Sequence, residues 1–313
     1  MITTEVALGL IYSSITLLTP ILLAGLAELL VERSGILNLS LEGTMLMGAF
    51  VAFMVAFYTG NLSYATLVAS IAGAVLCLLF AFLTITLALD QMVTGLALNL
   101  LTIGITSYLY RASFGWYVSP IPPHIEMTLH PIDIPVLSQI PIVGKILFNH
   151  LPHTYAAFTL VLLSWWLLFR TKNGLKIRAI GEDPQTADYL GINVNLTRYV
   201  LLVLEGCVAG LAGSLLSIGY YNMFLDNMTQ GRGYIAIALV ILSRWNPLLL
   251  LGGTFLFSFV DAFQLRIQAF NVPFLSYQFA LMLPYLFTII LLLVAGRKVK
   301  GPASLAKPFK KLR

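Results

Sequence analysis

Four carboxylates, Glu28, Glu42, Glu205 and Asp261, stand in or beside long apolar runs of this chain. A charge at the centre of a bilayer costs roughly 2.5–3.5 kcal/mol, so such residues face a cavity, a partner or a helix end. Two readings stay open. The carboxylates are structural, or they line a path for a polar solute. On the second reading Asn38, Glu42, Asn99 and Gln230 supply donors and acceptors suited to a hydroxylated solute. Arg232, between Gly231 and Gly233, either anchors a gate or reaches the interface along its apolar stem.

Chemistry that transforms a substrate is not expected, because no acid, base and nucleophile gather at one depth. Cys77 and Cys207 each sit inside an apolar run and read as packing. His124, His130, His150 and His153 fall in one stretch without metal-ligand spacing, so no metal site is expected. The sequence has no Gly-x-x-x-x-Gly-Lys-Ser/Thr phosphate loop, so it is not expected to hold ATP itself.

The stretch Glu182-Asp183-Pro184-Gln185-Thr186-Ala187-Asp188-Tyr189-Leu190-Gly191 carries a different kind of chemistry. Asp183 suits a helix N-cap, Pro184 the first helical position and Gly191 the position past the end. The spacing predicts a short helix from Pro184 to Leu190. Such a helix is not stable alone, so something must hold it. It is either an ordinary connector or a docking helix for a soluble partner.

The elements that position these residues are apolar helices. Hydrophobic residues make up 59% of the 313 and charged ones 10%, too few to solvate a soluble surface. Mean hydropathy is +0.90. The run from Ala65 to Leu89 carries no charge at all, long enough to span a bilayer. Nine apolar segments follow, near 6–30, 40–58, 64–89, 93–110, 154–169, 199–220, 233–243, 248–265 and 277–296. Helices are expected throughout, since each must satisfy its own backbone in lipid. The expected fold is an all-α polytopic membrane protein of about nine transmembrane helices, one domain over residues 1–313. Segment 233–243 is too short to cross, and Gly and Pro interrupt the pattern there and near Gly35, a pointer to a transport path.

Charge gives an orientation. Of the 18 Lys and Arg residues, most lie in two places: the 170–198 loop and the 297–313 tail. The positive-inside rule puts both in the cytoplasm, the 111–153 loop outside and, by parity, the N-terminus outside. The charge clusters instead of covering a face, so nucleic acid is not an expected partner. The tail reads as an anchor to anionic lipid, and the Pro-rich 111–153 loop as a stiff cover over the outer mouth. The first apolar run lacks a basic leader and a cleavage site, so it reads as a retained helix.

The segment from Ala27 to Gly48, the 182–191 loop and the block Met228-Thr-Gln-Gly-Arg-Gly-Tyr-Ile-Ala-Ile-Ala, followed by Arg244-Trp-Asn-Pro247, resemble the branched-chain amino acid and simple-sugar permease family of ATP-binding-cassette importers. Within it the chain most resembles the second permease subunit of nucleoside-type importers that work with a lipoprotein receptor. The resemblance implies a type II-like importer permease at the cell membrane. It implies coupling of Glu182, Asp183, Pro184, Ala187, Leu190 and Gly191 to cytoplasmic ATPase subunits, which hold the ATP and Mg. It also implies a second permease subunit, paralogue or copy, and an extracytoplasmic solute-binding protein. Nucleosides are the leading solute class and simple sugars the next. Two rival classes stay open: an ion-coupled secondary transporter using the intramembrane carboxylates, and a membrane enzyme.

Overall fold

The first helix, α1 (Thr4–Glu32), ends where Gly35 takes a left-handed backbone (φ +88°), and residues 36–40 then run without regular structure. Irregular backbone at membrane depth survives only where protein covers it. Here nearly every residue from Val31 to Phe50 is buried. We describe a computed structural model, over residues 4–115, 122–133, 143–269, 277–295 and 300–309.

The other long helices are α2 (Leu41–Thr59), α3 (Leu62–Ala81) and α4 (Gln91–Phe114). A hairpin end follows, with β1 (Ile132–Asp133), α5 (Val143–Leu147) and β2 (Asn149–His150), the two strands antiparallel with Ile132 facing His150. Then come α6 (Pro152–Arg170), α7 (Lys172–Glu182), α8 (Pro184–Tyr189), α9 (Val194–Ser214), α10 (Arg232–Leu242), α11 (Pro247–Ala269) and α12 (Tyr277–Ala295). Helices α3 and α9 each continue into a π-helical stretch, Phe82–Thr86 and Leu215–Tyr221.

Each of the nine apolar segments is helical. Seven helices among the described residues are long and apolar enough to cross a membrane. Helix α12 adds 19 residues, and α10, with 11, is the short one. The sequence reading missed α7, which Thr171 caps by accepting from the Gly174 amide at 3.1 Å. Of the stiff outer loop, residues 122–133 are pinned to the bundle: the Ile125 amide donates to the Asn222 carbonyl at 2.8 Å. Pro120, Pro135 and Pro141 lie outside the described residues.

Small residues let the centre close. A Cβ on Gly73 would stand 2.1 Å from the Gly206 carbonyl oxygen, and one on Gly210 2.3 Å from that of Ala69. Gly48 meets Gly210 and Gly213 meets Met45 in the same way, so α2, α3 and α9 touch backbone to backbone. Close approach replaces the hydrophobic drive that lipid removes. Around this core, α1 packs against α9, α10 and α11. Pro20 lies inside α1 and cannot donate to the Thr16 carbonyl. The Tyr220 hydroxyl takes that place, donating to the Thr16 oxygen at 2.5 Å.

Gly73→Leu should therefore cost at least 1–3 kcal/mol by overpacking, read as a lower melting midpoint in detergent. Gly104→Ala, which meets open space, should leave the midpoint unchanged or raise it.

Candidate functional site

The short helix α10 begins where Gly231 is half-buried and Gly233 buried, and its first amides need acceptors. Glu42, in the first turn of α2, supplies both. Its two carboxylate oxygens accept from the Gly231 and Gly233 amides, each at 2.7 Å. Gly233 is required there, because a Cβ would stand 2.6 Å from the Glu42 Cα. The carboxylate also lies at the positive end of the α10 dipole. From α4, the Asn99 side chain donates to the Tyr234 hydroxyl, one residue further along α10.

This grip leaves Gln230 and Arg232 facing a cavity of about 260 Å³ between α1, α10, α11 and α12. Arg232 donates to the Met228 and Thr229 carbonyls, both at 3.3 Å. Helix α11 contributes Asp261, Gln264 and Gln268, and Tyr221 and Tyr285 close the walls. A second cavity, about 470 Å³, shares Leu17, Tyr221 and Leu265 with the first and extends to Leu129, Pro131 and His150 at the hairpin end. The two cavities lie side by side between the hairpin end and Arg232. One positive and one negative side chain, with amides and phenols between, favour a neutral solute rich in hydroxyls or ring nitrogens.

Asn38 lies elsewhere, in a buried cluster. Its amide donates to Glu28 Oε1 at 3.1 Å and its side-chain nitrogen to Glu205 Oε1 at 3.2 Å. Its side-chain oxygen accepts from the Ser40 amide at 2.9 Å. The Leu37 amide donates to Gln91 Oε1 at 2.9 Å. These contacts give the Leu37, Asn38 and Ser40 amides of the irregular segment their partners. Of the five path candidates, the structure thus gathers Glu42, Asn99, Gln230 and Arg232 at the start of α10 and keeps Asn38 apart. It places Gln230 and Arg232 on the cavity wall. The sequence reading noted Asp261 and missed Gln264 and Gln268. Their spacing of three and four residues sets them on one face of a helix, and that was the available signal. Among the described residues no three His, Cys, Asp or Glu side chains converge to hold a metal.

At the basic end, Asp183 Oδ1 accepts from the Gln185 and Thr186 amides at 3.0 and 3.1 Å, and its Oδ2 from the Thr186 hydroxyl at 2.6 Å. Bonds from the Thr186 side chain and backbone hold the Asp183 carboxyl below its ordinary value, so the cap is charged at physiological pH. Ala187 sits in an apolar seat with Ile180 and Val194. That seat is what holds a six-residue helix. Gly191 takes the left-handed conformation (φ +82°) that ends it. Tyr189 and Leu190 point away, 73% and 76% exposed, and Glu182 and Pro184 flank the cap.

Residues 10–295 match the family described as branched-chain amino acid transport system / permease component. The chain belongs to this permease family. It is similar to the putative glucose ABC transporter permease protein of Haloferax volcanii, at 39% identity over 85% of this chain and 80% of the relative. It is also similar to the guanosine ABC transporter permease protein NupQ of Bacillus subtilis, at 32% identity over 93% and 92% of the two chains. The nucleoside ABC transporter permease protein NupC of Lactococcus lactis gives 32% identity over 95% and 93%. No solved structure matches. A permease component moves its solute without transforming it, so no catalytic role falls to the residues gathered here.

In this permease, Glu42→Ala should strand the buried Gly233 amide, at about 1–3 kcal/mol, and remove the acceptor of the half-buried Gly231 amide. The purified protein should melt earlier, while Glu42→Gln, which keeps one acceptor oxygen, should fall between.

Proposed function

We propose that this permease is the membrane subunit of an ATP-driven importer, carrying neutral hydroxylated solutes, nucleosides first and simple sugars next. The observation that carries the reading is α8: a capped helix seated through Ala187 that presents Tyr189 and Leu190 outward at the basic end. An exposed apolar pair on a rigid helix suits a groove on a soluble partner. Here that partner is a cytoplasmic ATPase subunit, which binds ATP and Mg. The basic end faces the cytoplasm and the N-terminus lies outside, in keeping with the Lys and Arg asymmetry. A solute-binding protein delivers solute at the hairpin end, and a second permease subunit completes the path.

The solute assignment draws on the relatives, named for guanosine, nucleosides and glucose. It draws also on the lining of the Arg232–Asp261 cavity, where two charges of opposite sign and three glutamines suit hydroxyls and ring nitrogens. Tyr221 and Tyr285 offer flat faces for a base or the apolar face of a sugar. Alternating access follows: ATP closes the ATPases, α8 moves with them, and the cavity opens to one side at a time.

Two substitutions test this. Ala187→Trp with Gly191→Val should abolish co-purification of the ATPase and transport together; normal values for both would sink the proposal. Gln264→Leu should reduce uptake roughly three- to tenfold, the worth of a lost hydrogen bond, with the ATPase still bound. Uptake by the chain alone in liposomes, driven by an ion gradient, would instead establish a secondary transporter.

A further inference from the structure

The tail read as a lipid anchor does something else over residues 300–309: it lies on the protein. (Arg297, Lys298, Lys310, Lys311 and Arg313 fall outside the described residues.) Pro302 and Ser304 are buried although no helix or strand includes them. The Ser304 amide and hydroxyl both donate to the Gly181 carbonyl, at 3.0 and 2.7 Å, at the end of α7. Two residues on, the Ala306 amide donates to the Gly35 carbonyl at 3.2 Å, in the break after α1. A Cβ on Gly35 would stand 2.3 Å from the Ser304 hydroxyl, and one on Gly181 2.1 Å from the Arg33 carbonyl oxygen. Glycine at both positions lets the three segments meet.

The two ends of this strap reach further. Phe309 packs into the seat of α8, against Ile180, Ala187 and Val194. The Arg198 guanidinium lies 5.9 Å over the Phe309 ring and donates through Nε to the Ser34 carbonyl at 3.1 Å. At the other end Gly301 abuts the Trp245 ring, in the break after α10. Arg33 binds the Trp245 carbonyl at 3.1 Å, and the Trp245 indole N–H donates to Glu32. One ten-residue segment therefore touches the seat of α8 and the ends of α1, α7 and α10. Helix α10 carries Arg232 on the cavity wall at its opposite end.

We propose that residues 300–309 form a strap that transmits movement of α8 to the ends of α1 and α10, and so to the cavity. The inference rests on the ATP-driven reading above. Coupling of this kind requires an element that both sites bias and a continuous set of contacts between them. The strap supplies the contacts, and the left-handed residues at Gly35, Arg244 and Trp245 are the backbone positions at which the breaks turn. The strap lines a groove with Glu182, Asp183 and Pro184 and reaches Tyr189 through Phe309, so only its contacts at Gly181, Gly35 and Trp245 lie apart from the exposed Tyr189–Leu190 face.

The test uses the full complex with its ATPase and binding protein in proteoliposomes. Gly301→Leu combined with Ser304→Ala, which disturbs the strap at Trp245 and Gly181 and leaves Phe309 in the α8 seat, should leave ATPase co-purification unchanged and lower solute moved per ATP hydrolysed roughly fivefold or more. Ser304→Thr alone should retain most of that ratio, because it keeps the hydroxyl that donates to the Gly181 carbonyl. An unchanged ratio in the double variant would overturn the strap. So would loss of the ATPase from that variant, which would make the segment part of the docking surface. Should the parent complex retain no ATPase, the ATP-driven reading fails first, and the two failures are told apart.

Discussion

Lipid offers no hydrogen bonds, and this chain breaks its helices within the bundle nonetheless. Everything else in the fold follows from how those breaks are supplied with partners. Residues 36–40 receive Glu28, Gln91 and the Asn38 side chain. The start of α10 receives Glu42 on two amides. Past the end of α10, the Arg244 and Trp245 carbonyls receive Arg33. In each case a side chain that would be costly in hydrocarbon does the work that a continuous helix does for itself. The polar residues of the span are thus divided between building the breaks and lining the cavities that the breaks make room for.

That division separates two halves of the bundle. Helices α2, α3 and α9 meet through Gly48, Gly73, Gly206, Gly210 and Gly213, with no room for a side chain between them. Such an interface cannot slide without separating. Helices α10, α11 and α12 surround a cavity with α1, whose Pro20 has already given up one helical bond. The cavity leaves that side less closely packed than the glycine-lined one.

Much of this was legible in the residues. All nine apolar segments are helices, because spans of that length leave the backbone no other choice. The cap at Asp183, the proline after it and Gly191 defined α8 within a residue, since capping is local chemistry. What holds α8 was not legible, because Ile180, Val194 and Phe309 come from three separate stretches. The same limit applies to the polar residues. Asn38 and Glu42 looked alike in sequence, each beside an apolar run; their partners lie 167 and 189 residues away. Helix α7 escaped notice because its three cations masked its periodicity, while Thr171 marked its start without an apolar run to follow.

The Glu42 contact has a consequence for how the chain is made. Its acceptors' partner amides lie 189 and 191 residues downstream. At roughly 5–20 residues per second of synthesis, the carboxyl waits about ten to forty seconds before those amides exist. Helix α2 must therefore enter the membrane, or stay at its edge, with an unanswered acid in its first turn. The ribosome delivers α10 to a site that has been standing open since early in translation, and the last third of the chain completes the first.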